Sequence, residues 1–95
     1  MKRYFVYILT SKRNGTLYIG VTNDISRRVY EHKEKLIEGF IKKYNITQFV
    51  YAEEFQNIND DIHREKCIKK WNRAWKLKMI EEQNPDWRDL YEDIL

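Results

Sequence analysis

Two short runs of aromatic and β-branched residues, 4–9 and 17–22, lie near the start of the chain. This composition is typical of β-strands. Between the runs stands Asn14-Gly15, a pair that tolerates the positive φ angles of a tight turn. The pattern therefore predicts a β-hairpin, and with Asn14 and Gly15 as the two loop residues, Ile8 would face Val21.

Side chains alternate between the two faces of a strand, so this hairpin would have one apolar face and one mixed face. The apolar face, suited to a core, comprises Val6, Ile8, Leu17, Ile19 and Val21. The other face brings Tyr7 and Tyr18 together beside Gly20. Because glycine has no side chain, another group can approach the backbone closely there.

A helix is predicted to follow the hairpin, from the N-cap candidates at 22–24 to about Leu36. Its buried stripe would comprise Ile25, Val29, His32 and Leu36. Arg28 lies at the edge of this stripe, one turn before His32. The helix therefore presents a cation and an imidazole on neighbouring positions.

The rest of the chain predicts one more strand and further helices. The strand covers 49–55, a helix follows over about 61–75, and the apolar phase then changes, which indicates a bend or a new helix. Residues 86–95 indicate a short acidic terminal helix. Three strands with helices after the second and third predict an α+β fold, in one domain over 1–95 with its core at about 3–80.

Composition narrows the class of protein. The chain has 95 residues, of which 42% are hydrophobic and 35% charged, as in a small folded domain. Cys67 is the single cysteine, so neither an intrachain disulfide nor a cysteine zinc cluster can form, and a reducing, cytoplasmic compartment is expected. No apolar run approaches the ~20 residues of a membrane span, and no signal-peptide pattern opens the chain, so we expect no membrane association or secretion.

The charge is distributed unevenly along the chain. Six acids against Arg88 give residues 81–95 a net charge of −5, so residues 1–80 carry +8 of the formal total of +3. Between His63 and Lys78 there are seven Lys and Arg and a single acid, Glu65. Such a distribution fits a polyanionic partner, because each neutralised phosphate releases counterions. It equally fits a lysine-rich helix face in water.

Several common chemistries have no support in the sequence. The three glycines are too dispersed for a P-loop or a dinucleotide-binding loop, so we expect no small-molecule cofactor. Cys67 follows His63 by four residues but would lie towards the apolar side of its helix, which favours an inert thiol. His63 and Glu65 are two residues apart on a helix and face different directions, so they do not form a chelating pair.

What remains is the set Tyr7, Tyr18, Arg28, His32 and Glu65. Phosphodiester cleavage needs a group that activates water, a positive charge at the phosphate and a cation at the leaving oxygen. Tyrosine or histidine can supply the first, arginine the second and a carboxylate-held Mg²⁺ the third. The residue types are therefore compatible with a phosphodiesterase.

The order of these residues resembles the GIY-YIG endonuclease superfamily. The motifs that carry the resemblance are Val6-Tyr7, Tyr18-Ile19-Gly20, Arg28, His32 and Glu65, over about 4–75. The segment 65–71 and the Asn84-Pro85-x-Trp87 tail are similar to the small stand-alone branch called excinuclease C-subunit-like, a name that points to DNA repair. The combination is specific, whereas each motif alone is weak.

The resemblance implies a three-stranded antiparallel sheet, formed by the hairpin and a third strand and flanked by helices, with a metal-dependent nuclease activity on DNA. Tyr7 and Tyr18 would position or deprotonate the attacking water, and Arg28 would stabilise the scissile phosphate. His32 would act as a base or orienting group, and Glu65 would bind one Mg²⁺ or Mn²⁺. Cutting both strands with one site would need a second visit or a homodimer.

Other residues are candidates for substrate contact. Gly20 would admit the substrate to the backbone, and the cations that could follow a phosphate backbone are Lys42, Lys43, Lys69, Lys70 and Arg73. The chain departs from the family pattern at Phe5, where a glycine is usual, and at Val21, where some members carry lysine. The family's downstream asparagine could correspond to Asn72 or Asn84.

Two rival functions remain open. One is a nucleic-acid-binding module of the same fold with weak or no activity. The other is a protein-interaction domain whose acidic tail docks on a basic surface.

Overall fold

The computed structural model describes residues 3–34 and 43–95. Its elements are β1 (Tyr4–Thr10), β2 (Leu17–Thr22), α1 (Ile25–Lys33), β3 (Gln48–Phe55), α2 (Ile58–Lys70), α3 (Arg73–Gln83) and a short 3-10 helix (Tyr91–Ile94). The α+β class is confirmed. In the part of the chain described here, no helix is long and apolar enough to cross a membrane.

The three strands form one antiparallel sheet in the order β2-β1-β3. The hairpin register differs from the expected one, because Ile8 faces Ile19 and not Val21. The tight turn is centred one residue earlier than predicted, on Arg13 and Asn14: Gly15 N donates to Lys12 O at 2.8 Å, and Asn14 takes a positive φ of 57°. Since the register moves by two residues, each side chain keeps its face, and the two predicted faces are confirmed.

Each face of the sheet supports its own hydrophobic cluster. The predicted apolar face of the hairpin packs with residues of the third strand, the later helices and the tail, including Val50, Ile68, Ile80 and Trp87. The opposite face joins Tyr7, Leu9, Val29, Ile46 and Phe49. Helix α1 therefore covers one face, and helices α2 and α3 cover the other.

The helix boundaries show which side chains terminate the backbone hydrogen-bond ladders. Asp24 is the N-cap of α1 and accepts from Arg27 N at 3.2 Å, as expected; Leu36 lies outside the described residues. Helix α2 begins at Ile58, earlier than predicted, and ends at Lys70, well before Trp75. The predicted continuation is wrong because Asn72 caps a new helix by accepting from Trp75 N at 2.9 Å.

The end of the chain is held in an irregular conformation. The short acidic helix predicted over 86–95 is confined to a 3-10 helix at Tyr91–Ile94. Trp87 has a positive φ of 55°, and the Asn84 side chain bonds the main chain of Arg88 at both N and O. Leu90 N donates to Phe49 O at 2.7 Å. These backbone groups are therefore engaged outside any helical ladder.

Candidate active site

Three rings from three elements form a cluster on the α1 side of the sheet: Tyr7 of β1, Tyr18 of β2 and His32 of α1. The Tyr7 and Tyr18 ring centroids lie 6.2 Å apart. The imidazole centroid lies 5.7 Å from that of Tyr7 and 5.4 Å from that of Tyr18. The hairpin register points both tyrosines to one face, and α1 returns over that face with Val29 and His32 as its buried residues.

Gly20 provides the space for the Tyr7 phenol. The two residues face each other across the β1–β2 pair. A Cβ atom at Gly20 would lie 2.6 Å from Tyr7 Oη and 2.7 Å from Tyr7 Cζ, well inside contact distance. The close approach predicted at Gly20 is thus made by the protein's own phenol. A role for Gly20 in substrate binding stays a prediction.

Tyr7 and His32 share a buried hydrogen bond, with Tyr7 Oη 3.2 Å from His32 Nε2. Burial and the nearby Arg28 charge lower the pKa of His32 to about 4, so the imidazole is neutral near pH 7. Burial, reinforced by Tyr18, raises the pKa of Tyr7, so this phenol keeps its proton. His32 Nδ1 is buried without a hydrogen-bond partner.

Arg28 lies at the open edge of this cluster. Its side chain is 40% exposed, and its guanidinium Nη1 lies 3.6 Å from Glu31 Oε1. Its charge acts on both His32 and Tyr7, lowering the pKa of each. It lines a small cavity of about 80 Å³ with Thr22 and Asn23 at the end of β2. The guanidinium is therefore open to solvent, and its charge reaches His32 and Tyr7 in the ring cluster.

Glu65 lies on α2, whose Ile68 packs against the opposite face of the sheet. Its side chain is 16% exposed, and its Oε2 lies 3.4 Å from Lys69 Nζ. One turn earlier, Asp61 is 1% exposed and its Oδ1 has no hydrogen-bond partner. Burial, together with the Glu65 and Glu53 charges, raises the pKa of Asp61 to about 6. Asp61 was not among the residues that the sequence pattern singled out.

Glu65 and Asp61 are the residues to compare with the divalent metal ion that the sequence implies. Within residues 3–34 and 43–95, no group of three or more His, Cys, Asp or Glu is arranged to hold a metal ion. Mg²⁺, however, is commonly held by one or two carboxylates, with water and phosphate oxygens completing its shell. Glu65 and the unpartnered oxygen of Asp61 fit that requirement. Glu65 as a metal ligand stays a prediction.

The candidate phosphate-binding cations occupy different settings. Lys43 and Lys70 lie on the exposed surface, and Lys69 is the ion-pair partner of Glu65. Arg73 donates to the carbonyl oxygens of Asn14 and Gly15 and so fastens the hairpin loop to α3. Lys42 lies outside the described residues.

Both candidate asparagines have structural partners. Asn72 caps α3. Asn84 is buried, donates to Val50 O and Arg88 O, and accepts from Arg88 N. Their side-chain groups are therefore used in the fold, and neither contact reaches the ring cluster.

The fold and the site define a small α+β domain in which a hairpin and the following helix assemble paired tyrosines, a histidine and an arginine. The family model described as the GIY-YIG catalytic domain matches residues 3–78. The chain therefore belongs to the GIY-YIG family, which supports a nuclease-type function.

Curated relatives narrow the branch of this family. A UPF0213 protein of Staphylococcus saprophyticus is 34% identical over 82 residues, covering 86% of this chain and 99% of that protein. One of Staphylococcus haemolyticus is 35% identical over 83 residues, covering 87% and 100%. The solution NMR structure of a UPF0213 protein from Bacillus halodurans shares the fold, with a TM-score of 0.58, 21% identity and 92% coverage of both chains. The chain is thus similar to small stand-alone members of the family.

Proposed function

We propose that this protein is an endonuclease that hydrolyses DNA phosphodiester bonds at a single site, by in-line attack of water, with Mg²⁺ or Mn²⁺. The observation that carries the proposal is the convergence of Tyr7, Tyr18 and His32 from three separate elements, with Arg28 at the edge of their cluster. Membership of the GIY-YIG family supports the same activity.

The proton chemistry follows from the Tyr7–His32 hydrogen bond. A neutral imidazole can accept a proton, whereas a phenol that its raised pKa keeps protonated has to release its own proton as it takes one. As Tyr7 Oη takes a proton from the attacking water, its own proton passes to His32 Nε2, 3.2 Å away. Tyr7 therefore acts as a relay and His32 as the final base, while Tyr18 packs against both and orients them.

Arg28 and Glu65 supply charge. The partly exposed Arg28 guanidinium would bind the scissile phosphate and stabilise its developing charge. Glu65 would hold the divalent ion, which when bound would neutralise the phosphate and the leaving oxygen. The exposed Lys43 and Lys70 would contact neighbouring phosphates.

The wider setting follows from the charge distribution. The net charge of +8 on residues 1–80 favours a DNA substrate over a neutral one. Cutting both strands would use a homodimer or two successive visits. We further propose a cytoplasmic role related to DNA repair, in line with the excinuclease-like sequence pattern.

A second candidate is a DNA-binding module with weak or no hydrolysis. It is favoured by the pairing of Glu65 with Lys69 and by the packing of α2 against the face of the sheet opposite the ring cluster.

Metal-dependent nicking of supercoiled plasmid separates the two candidates. We expect Arg28→Ala and Glu65→Ala to remove nicking while circular dichroism shows an intact fold and DNA affinity stays within a few-fold. Arg27→Ala is the matched control, because Arg27 neighbours Arg28 and also lies beside Glu31 but is 74% exposed. Salt-sensitive DNA binding without nicking by the unmodified protein would favour the binding module.

A further inference from the structure

Asp61 is a buried carboxylate that the fold leaves incompletely paired. It is 1% exposed, and its Oδ1 is sealed from solvent without a hydrogen-bond partner. Burying a charge in this way is costly unless an opposite charge or a metal ion compensates it. The position therefore calls for a compensating group.

Asp61 has two charged neighbours of its own sign. Glu65 lies one helical turn later, a spacing that puts both side chains on one face of α2. Both Glu65 and Glu53 act electrostatically on Asp61. The Glu53 carboxylate is already bound by Arg64, whose Nη2 lies 3.0 Å from Glu53 Oε2. Asp61 Oδ1 is thus left without a partner, and Glu65 has the half-exposed Lys69 as its ion-pair partner, 3.4 Å from Oε2.

The cavity beside Asp61 shares two lining residues with the cavity beside Arg28. Asp61 lines a cavity of about 200 Å³ with Tyr4, Val21, Thr22, Asn23 and Ile58. Thr22 and Asn23 also line the small cavity that contains Arg28. The end of β2 therefore adjoins both cavities, one with a carboxylate and one with a guanidinium. A phosphate at this end of the strand would have a cation to bind on each side if the Asp61 side held a metal ion.

We infer that Asp61 is a second metal ligand, which holds one divalent cation of the Mg²⁺ type together with Glu65. The ligand class follows from the donors, since hard divalent cations of this size take carboxylate oxygens and keep several waters. The inference rests on the proposed function only in assigning Glu65 to the metal.

Metal binding is tested without DNA, by electron paramagnetic resonance of free Mn²⁺ during titration of the full chain. We expect Asp61→Asn to weaken Mn²⁺ binding at least about tenfold, because it keeps the shape and removes the charged ligand. Asp60→Asn is the matched control, since Asp60 is the adjacent acid on the exposed surface; it should leave binding unchanged. Glu65→Gln should weaken binding at least as much as Asp61→Asn.

Thermal unfolding provides a second readout with a distinctive sign. Without metal, Asp61→Asn should unfold at a higher temperature than the unmodified chain, because it relieves carboxylate repulsion; Mn²⁺ should then raise the melting temperature of the unmodified chain but not of the variant. If Asp61→Asn does not fold, Asp61→Ser serves in its place.

The outcomes separate the two proposals. Equal Mn²⁺ binding by Asp61→Asn and the unmodified chain, with loss in Glu65→Gln, would overturn the role of Asp61 and leave Glu65 as the sole ligand. Binding that survives Glu65→Gln but not Asp61→Asn would support Asp61 and contradict the assignment of Glu65. No Mn²⁺ binding by the unmodified chain would overturn both.

Discussion

On the α1 side of the sheet, Tyr7, Tyr18 and His32 contact one another, and a hydrogen bond joins two of them. On the α2 side, three carboxylates lie near one another, those of Glu53, Asp61 and Glu65. Glu53 pairs with Arg64 and Glu65 with Lys69. Burial acts differently in the two places. It keeps the phenol and the imidazole uncharged, which costs little, but it opposes the ionised form of Asp61.

The two regions differ in what they need: the ring cluster is formed by the fold itself, whereas the carboxylates of α2 would be completed by a bound ligand. The ring cluster is assembled by strand register and helix packing alone. The metal site inferred above would compensate the buried charge of Asp61 with an added cation. Substitutions on the first side should therefore change proton transfer or packing, and those on the second should change metal binding.

The largest effect is expected from Tyr7→Phe, which removes the hydroxyl that bonds His32. If Tyr7 relays a proton, the nicking rate should fall by about 10²–10⁴-fold. Tyr51→Phe is the matched control, because Tyr51 is a buried tyrosine of the opposite face whose hydroxyl bonds Glu53. Plasmid nicking rates of the two variants check this, and an equal loss in both would refute a special role for Tyr7.

The next effect concerns pH and stability. The pKa of His32 is about 4 in the folded protein against 6.5 as its ordinary value, so acid protonates the unfolded chain first. The free energy of unfolding therefore has its full His32 contribution above pH 6.5. It loses roughly 3 kcal/mol of that contribution as the pH falls towards 4. Denaturant titrations across this range should show a fall that His32→Gln lacks. Because the carboxylates titrate in both proteins, the difference isolates the imidazole; identical pH profiles would contradict a buried neutral histidine.

A smaller effect is expected from Gly20→Ala. The added methyl would collide with the Tyr7 phenol, and such overpacking costs about 1–3 kcal/mol of unfolding free energy. Combining it with Tyr7→Phe should restore part of the loss, since the contact with Oη disappears while that with Cζ remains. Chemical denaturation of the two single variants and the double variant measures this coupling. Strict additivity would show that the phenol does not fill the space above Gly20.

Period-2 alternation fixed the faces of the hairpin correctly even though the register was wrong. Asn14-Gly15 suggested the centre of the turn, but the bond from Gly15 N to Lys12 O centres it on Arg13 and Asn14, and the resulting shift by two residues kept Tyr7 and Tyr18 on one face. Side-chain alternation is a property of each strand, whereas the position of the turn also depends on how the loop packs, here through hydrogen bonds from Arg73 of α3 to the loop carbonyl oxygens.

The errors lie where tertiary contacts replace local preference. The helix predicted over about 61–75 is interrupted, because Asn72 caps a new helix, and Trp75 is 58% exposed. The terminal helix is shorter than predicted because tertiary contacts hold the preceding residues: Asn84 donates to Val50 O of the sheet, and Trp87 takes a positive φ. Glu65 was singled out from the sequence because it is the one acid between His63 and Lys78, a range that leaves out Asp61. The signal for Asp61 was its position four residues before Glu65, which places both on one face of a helix.

The most direct test of the account is a crystal structure of the full chain with Mn²⁺ and a short DNA whose scissile phosphate is non-hydrolysable. We predict an anomalous peak within coordination distance of Glu65, with Arg28 on the same phosphate and Tyr7 Oη facing the water on its opposite side. A peak far from Glu65, or a phosphate bound away from Tyr7 and Arg28, would contradict the claim that the two sides of the sheet serve one hydrolytic site.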